Sequence, residues 1–260
     1  MSSNLFEHFM IPLAKKINYS STVSEIVNMH YRTADVFRRH GIDFCCGGKL
    51  PLKMVCELRE LDLEEMEKEL ENSIRTISIP ASLKFEKWDI DFLTEYLVNV
   101  HHEFLRTALP PAEEYLDRFV EGHKKKYPHL PELQKIFHEM ANDMMPHLLQ
   151  EEEIIFPYIR QIAHAYNNKE SYASLFVRTL KKPVENVMIH EHEIMNKILS
   201  RIRNLTNHYT PPQDACVNHK VTFQKLQEID NDLVHHMYLE NNILFPRAIA
   251  MEKELLQRKD

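Results

Sequence analysis

Asn142, Asp143, His147, Glu151, Ile154, Phe156 and Pro157 return 89 residues later as Asn231, Asp232, His236, Glu240, Ile243, Phe245 and Pro246. The shared pattern is N-D-x-x-x-H-x-x-x-E-x-x-I-(I/L)-F-P, identical at seven of sixteen positions. A histidine and a glutamate four residues apart project from one face of a helix, one turn apart, so both can reach one metal ion. Two such helices facing each other supply ligands for two. Upstream of each copy stands a short cluster, His101-His102-Glu103 before the first and His190-Glu191-His192-Glu193 before the second. The chemistry on offer is that of a dinuclear centre held by imidazoles and carboxylates.

The intervals say what must position these groups. His102 lies 45 residues before His147, and His192 lies 44 before His236. Each span fits a helix, a turn and a returning helix, so each half reads as an αα-hairpin. A duplicated hairpin makes an up-down four-helix bundle with a pseudo-twofold axis, each helix contributing inward ligands at a similar height.

A lone histidine on a half-buried helix is ordinarily a hydrogen-bonded structural residue; the duplicated pair reverses that reading. Burying two histidines and two glutamates among Met, Leu, Ile and Phe side chains costs on the order of several kcal/mol unless they are paired or metal-bound. Imidazoles and carboxylates, with no thiolate on these helices, disfavour Cu(I) and a structural zinc site. Bridging carboxylates with two imidazoles per metal suit iron or manganese and leave positions for oxo, hydroxo, water or a small diatomic ligand; spacing alone leaves zinc open. The repeat selects His236 over His235. Helical phase does not separate His101 from His102 or His190 from His192, and alignment of the two H-E dipeptides favours His102 with His192. Asp143 and Asp232, one turn before His147 and His236, read equally well as acceptors for ligand N–H groups or as solvated acidic positions.

Only four glycines in 260 residues, with thirteen prolines mostly between periodic segments, indicate an all-α protein. A formal charge of −7 argues against nucleic acid or an anionic membrane as partner. No apolar run approaches the ~20 residues that span a bilayer. The stretch from Leu5 to Pro12 lacks the basic leader of a signal peptide. Four cysteines in a chain this long are no disulfide framework, so the expected location is the reducing cytoplasm.

The expected organisation is a small helical N-terminal domain over 1–78, a linker over 79–87 and the bundle over 88–252. In the first part, periodicity predicts one helix from Ser24 to Arg39 that stops at Gly41, a short one after Pro51, and a third from Leu63 to about Ser73. In the bundle, the first helix is expected from Trp88 to Leu109, interrupted by Pro110-Pro111. The others are expected near 132–164, 182–206 and 215–250. Pro146, just before His147, predicts a local distortion. Cys45 and Cys46 are adjacent thiols beside glycines, suited to a strained disulfide, to metal binding or to passing iron on; the bland alternative is a buried pair of small side chains at a turn.

The HHEF and HEHE clusters, each followed by H-x-x-x-E, resemble the hemerythrin-like cation-binding domain. His147 to Pro157 and His236 to Ala248, together with Arg38 to Gly48, are similar to the repair-of-iron-centres family, whose small N-terminal domain precedes its bundle in the same order. The resemblance covers about residues 20 to 250. It implies a non-haem di-iron protein that takes part in repairing iron–sulfur clusters damaged by oxidative or nitrosative stress, by iron donation gated by oxidation state. It places the iron ligands on His102, His147, Glu151, His192, His236 and Glu240. Glu151 and Glu240 would bridge the two irons with an oxo or hydroxo ligand. Glu191 would assist proton movement, and Cys45 and Cys46 would contact a partner or the redox supply. Damaged or apo iron–sulfur proteins are the implied partners. Two other readings compete: a binder or sensor of O₂ or NO, and an enzyme reducing NO. A homodimer stays open.

Overall fold

The computed structural model describes residues 17–18, 20–44, 48–74, 83–170, 177 and 189–257. Cys45, Cys46, the linker around Ile77 to Ser82 and the expected start of the third long helix lie outside them. The described residues hold helices and no strand, and divide into two units, Met1–Pro80 with Pro212–Val221 and Ala81–Pro211 with Thr222–Asp260.

In the first unit Thr22 opens α1 (Val23–Met29) through a capping box. Its hydroxyl accepts from the Glu25 N–H at 3.3 Å, and the Glu25 carboxylate accepts from the Thr22 N–H at 2.8 Å. The single helix expected to Arg39 is in fact two, with α2 covering Thr33–Arg39. The chain turns between them because the Thr33 hydroxyl donates to the His30 carbonyl at 2.6 Å, a side-chain bond that competes with helix continuation. Gly41, at φ +64°, ends α2 as the sequence suggests, and the Ile42 N–H closes back on the Phe37 carbonyl at 2.8 Å. Helices α3 (Leu52–Leu58) and α4 (Leu63–Ser73, capped by Asp62) stand where periodicity places them. Glu69 on α4 ties down the end of α2 through Arg39 at 2.9 Å and His40 at 3.1 Å. Position 48 admits only glycine: a Cβ there would sit 2.5 Å from the Phe44 carbonyl oxygen.

The second unit begins with a short 3₁₀ turn at Phe85–Lys87 and then builds four long helical segments. The first is α5 (Ile90–Tyr96), a π-helical turn at Leu97–His102, and α6 (Glu103–His123). The second is α7 (Leu130–Gln150), a π turn at Glu151–Ile155, and α8 (Phe156–Asn167). The third is α9 (Ile189–Leu205); the fourth is α10 (Val217–Leu239), a π turn at Glu240–Leu244, and α11 (Phe245–Gln257). This is the expected four-helix bundle.

Two proline expectations fail. Pro110 and Pro111 do not interrupt the first segment: α6 runs through them. Both lie on its outer side, while Leu105, Leu109, Ala112, Leu116 and Phe119 are buried, and that packing holds the helix although the prolines donate no backbone bond. Pro146 likewise sits inside a regular α7. The distortion comes one turn later, in the two repeats alike: the Phe156 N–H bonds the Glu151 carbonyl and the Phe245 N–H bonds the Glu240 carbonyl, five residues back. Pro157 and Pro246 explain it. Neither has an N–H, and each ring crowds the carbonyl four residues earlier, so the helix widens where the metal-facing glutamates leave it.

Buried apolar residues form two clusters, one containing Leu105, Phe119, Phe137, Met144, Leu199 and Leu233, the other Leu93, Leu97, Ile155, Phe156, Leu244 and Phe245. The histidines and glutamates of the repeat fall between them on every long segment. Between α9 and α10 the chain reverses through Asn207, His208 and Tyr209, all with φ near +50°. Tyr209 is fixed there by its hydroxyl, which donates to Asp230 at 2.8 Å; Asp230 also accepts from the Arg203 Nε at 2.6 Å. No helix among the described residues is long and apolar enough to cross a membrane.

On the far part of the bundle His138 bridges Glu113 and Asp117, 2.7 Å from each. Burial opposes its charge, but the two carboxylates prevail and raise its pKa. The stability it adds is therefore complete below the ordinary histidine value and fades as pH rises through the raised one. A His138→Leu variant should lose about 1 kcal/mol against the parent at pH 6 in urea unfolding, and the gap should shrink by pH 9.

Candidate metal centre

His102, at the end of the first π turn, is fully buried, with its Nδ1 2.6 Å from Glu152 Oε1. Glu152 is itself clamped by Arg106, whose Nη2 donates to both carboxylate oxygens at 2.7 and 2.8 Å. Fixed at Nδ1, the ring points Nε2 inward, 3.1 Å from His236 Nε2 and 3.4 Å from Glu151 Oε2. On the other side His147 Nδ1 meets Glu191 Oε2 at 2.8 Å, and its Nε2 faces Glu151 Oε1 at 3.3 Å. His192 places Nδ1 2.9 Å from Asn241 Oδ1 and Nε2 3.5 Å from Glu240 Oε2. His236 Nε2 stands 3.2 Å from Glu240 Oε1.

Each of three histidines thus sets its Nδ1 against an outer acceptor and leaves Nε2 facing the centre, the arrangement by which proteins orient imidazole ligands. Two sets of donor atoms result, each within 4.8 Å: His102, Glu151, His236 and Glu240, all buried, and His147, Glu151 and His192. All four oxygens of Glu151 and Glu240, and His192 Nε2, are buried without a hydrogen-bond partner. Such orphaned acceptors are costly in a protein interior, and a cation between them satisfies them together.

Charge tells the same story. Burial works against Glu151, yet the neighbouring His102 and His192, then the charges of His147 and His236, hold it well below the usual carboxylate range. Glu240 is pushed well above that range by burial and by the negative charge of Glu151. His236 is kept neutral, chiefly by burial. At His192 burial disfavours the proton, but the Glu151 and Glu240 carboxylates and Asn241 outweigh it and raise the pKa to about 9. The protein's own charges oppose ionising both glutamates in this layer; positive metal charge would favour it.

The structure brings together all six expected ligands, and it separates the adjacent histidines that spacing left open. His190 is exposed. His101 is buried beside the centre but turns its Nδ1 to Asp232 Oδ1 at 2.9 Å and stacks on the His236 ring at 5.7 Å. Asp232 therefore serves His101 rather than His236, and Asp143 is exposed on a cleft wall. Glu191 holds His147, across the hairpins. Sequence reading missed Glu152 and Asn241, although the repeat carried the signal: each directly follows a metal-facing glutamate, and each accepts from the ligand histidine of its own hairpin.

A cleft of about 310 Å³ reaches this layer, lined by His147, His192 and His236 with Met144, Met195 and Met237, and with Gln150 and Glu191 among its polar walls.

Residues 93–248 match the family described as the hemerythrin HHE cation binding domain, and residues 19–74 match ScdA_N, a domain of unknown function. The chain is similar to the iron-sulfur cluster repair protein ScdA of Staphylococcus epidermidis, 27% identical over 233 residues, which is 89% of this chain and 99% of the relative. It is also similar to the iron-sulfur cluster repair protein YtfE of Escherichia coli, 31% identical over 222 residues, 85% of this chain and 93% of the relative. The YtfE protein of Cronobacter sakazakii is 31% identical over 223 residues, with the same coverage.

If Glu152 and Asn241 orient ligands, Glu152→Ala and Asn241→Ala should each weaken metal binding about 10–100-fold while leaving the helical content intact. Titration of the full chain against a competing chelator, with circular dichroism as the control, measures both.

Proposed function

The chain belongs to the hemerythrin HHE cation-binding family, and from that membership we propose that it repairs iron–sulfur clusters damaged by oxidative or nitrosative stress, using a pair of iron ions. The observation that carries this reading is the buried layer in which two glutamates present four unpartnered oxygens to four histidines. Glu151 turns Oε2 toward His102 and Oε1 toward His147, and Glu240 turns Oε1 toward His236 and Oε2 toward His192. Carboxylates so placed would hold two cations between them, with two imidazoles for each. Iron suits this donor set, and bound there it supplies labile metal for a cluster that has lost some.

The remaining residues hold and shield that cargo. Glu152, Glu191 and Asn241 keep the lone pairs of His102, His147 and His192 aimed inward. Glu191, on the cleft wall, is also the group able to take up a proton when His147 is released. Cys45 and Cys46 are assigned the contact with the client or with the redox supply, supported by the match of residues 19–74 to ScdA_N and by the printed function of the relatives that span both domains. The clients are damaged or apo iron–sulfur proteins of the reducing cytoplasm.

The test is metal content and a visible spectrum of protein purified without added metal, followed by anaerobic incubation, with dithionite as reductant, with a dehydratase whose [4Fe–4S] cluster peroxide has damaged. Two irons per chain, an oxo-bridge absorption and recovery of the dehydratase are expected. A His147→Ala/His236→Ala variant should lose the iron and the recovery together. Zinc in place of iron, or no metal, would overturn the reading. Iron retained through reduction with no client recovery would favour a binder of O₂ or NO instead.

A further inference from the structure

We infer that the two iron positions are unequal: the ion beside His147 and His192 is the one given up, and the ion beside His102 and His236 stays. The inference rests on the repair reading above and specifies which half of its centre is cargo.

The asymmetry is visible in burial. The His147 side chain is 12% exposed, whereas those of His102, His192 and His236 are 0–2% exposed. The cleft is lined by His147 and His192 and reaches His236, but not His102, Glu151 or Glu240. On the opposite side, rings close the approach. His101 stacks on His236, and Tyr96 and His235 pack edge-on against His101 at 5.4 and 5.1 Å.

Its origin is one residue in the repeat. Aligning His102 with His192 puts His101 opposite Glu191. In one half that residue is an imidazole buried against its neighbour; in the other it is a carboxylate, 39% exposed on the cleft wall, holding His147 by a single hydrogen bond at 2.8 Å. Release through the cleft needs no electron transfer. The bonds of Fe(II) to His147, His192 and the shared carboxylates break, bonds to acceptor thiolates form, and protons lost by those thiols are taken up by the freed imidazoles. Asp143 and Glu191 give the departing cation polar contacts along walls otherwise formed by Met144, Met195 and Ile198.

The experiment loads the full chain anaerobically with Fe(II) and follows its capture by a ferrous chelator in a stopped-flow spectrometer. One iron per chain should leave at least about tenfold faster than the other, a difference of about 1.4 kcal/mol in barrier. Ile194→Trp, which fills the cleft rim from a position 44% exposed and therefore tolerant of substitution, should slow the fast iron and leave the slow one unchanged. His147→Ala should keep one slow iron. A single rate for both irons, an unchanged fast rate in Ile194→Trp, or loss of the slow iron from a folded His147→Ala variant would overturn the inference while leaving a two-iron protein. Failure of the parent chain to take up iron would overturn the repair reading with it.

Discussion

Two carboxylates share one dry layer. Glu151 and Glu240 lie wholly inside the bundle, where burial, and then the negative charge of Glu151, pushes Glu240 well above the usual carboxylate range. Apolar clusters flank that layer, and among the described residues no hydrogen bond reaches the four oxygens. The four inward histidines reduce the cost without removing it. Multivalent cations complete the electrostatics, and for that reason the fold and the metal site are one problem: the bundle core is interrupted by a layer designed around positive charge.

The backbone supports this in a way that follows from the Phe-Pro pairs. Pro157 and Pro246 open π turns that begin on the metal-facing glutamates, at the same place in both repeats. A widened turn inserts one extra residue and shifts the helix faces beyond it, so that Glu151 and Glu240 face the centre while Phe156 and Phe245 return to the apolar cluster and pack on His102 and His192. The proline thus acts on the site through helix geometry, not through contact with a ligand.

Duplication made the centre nearly symmetric, and small substitutions made it unequal. Glu152 and Asn241 occupy the same repeat position and perform the same task, one as a carboxylate braced by Arg106, the other as an amide. His101 and Glu191 also correspond, yet one buries its neighbour under a ring while the other borders a cleft. The pseudo-twofold scaffold thus sets a ring-covered side of the layer against a side that a cleft reaches.

The sequence alone determined the helical class, the paired hairpins and the inward placing of His147, Glu151, His236 and Glu240, because a four-residue His–Glu spacing on a helix leaves one geometry open and the repeat states it twice. The capped helices before Ser73 were legible for a similar reason: caps and Gly41 are local signals. Tertiary structure decided what local signals could not. Pro110-Pro111 passed unbroken because buried neighbours outweighed the lost backbone bonds. His101 and His102 were separated by the packing of whole helices, since adjacent residues on one turn differ by only about 100° in direction. Asp232 turned to His101, and the cleft opened on one side, through contacts between hairpins more than 40 residues apart in the chain. Spacing fixes which atoms can reach a metal; only the packed bundle decides which of them are covered.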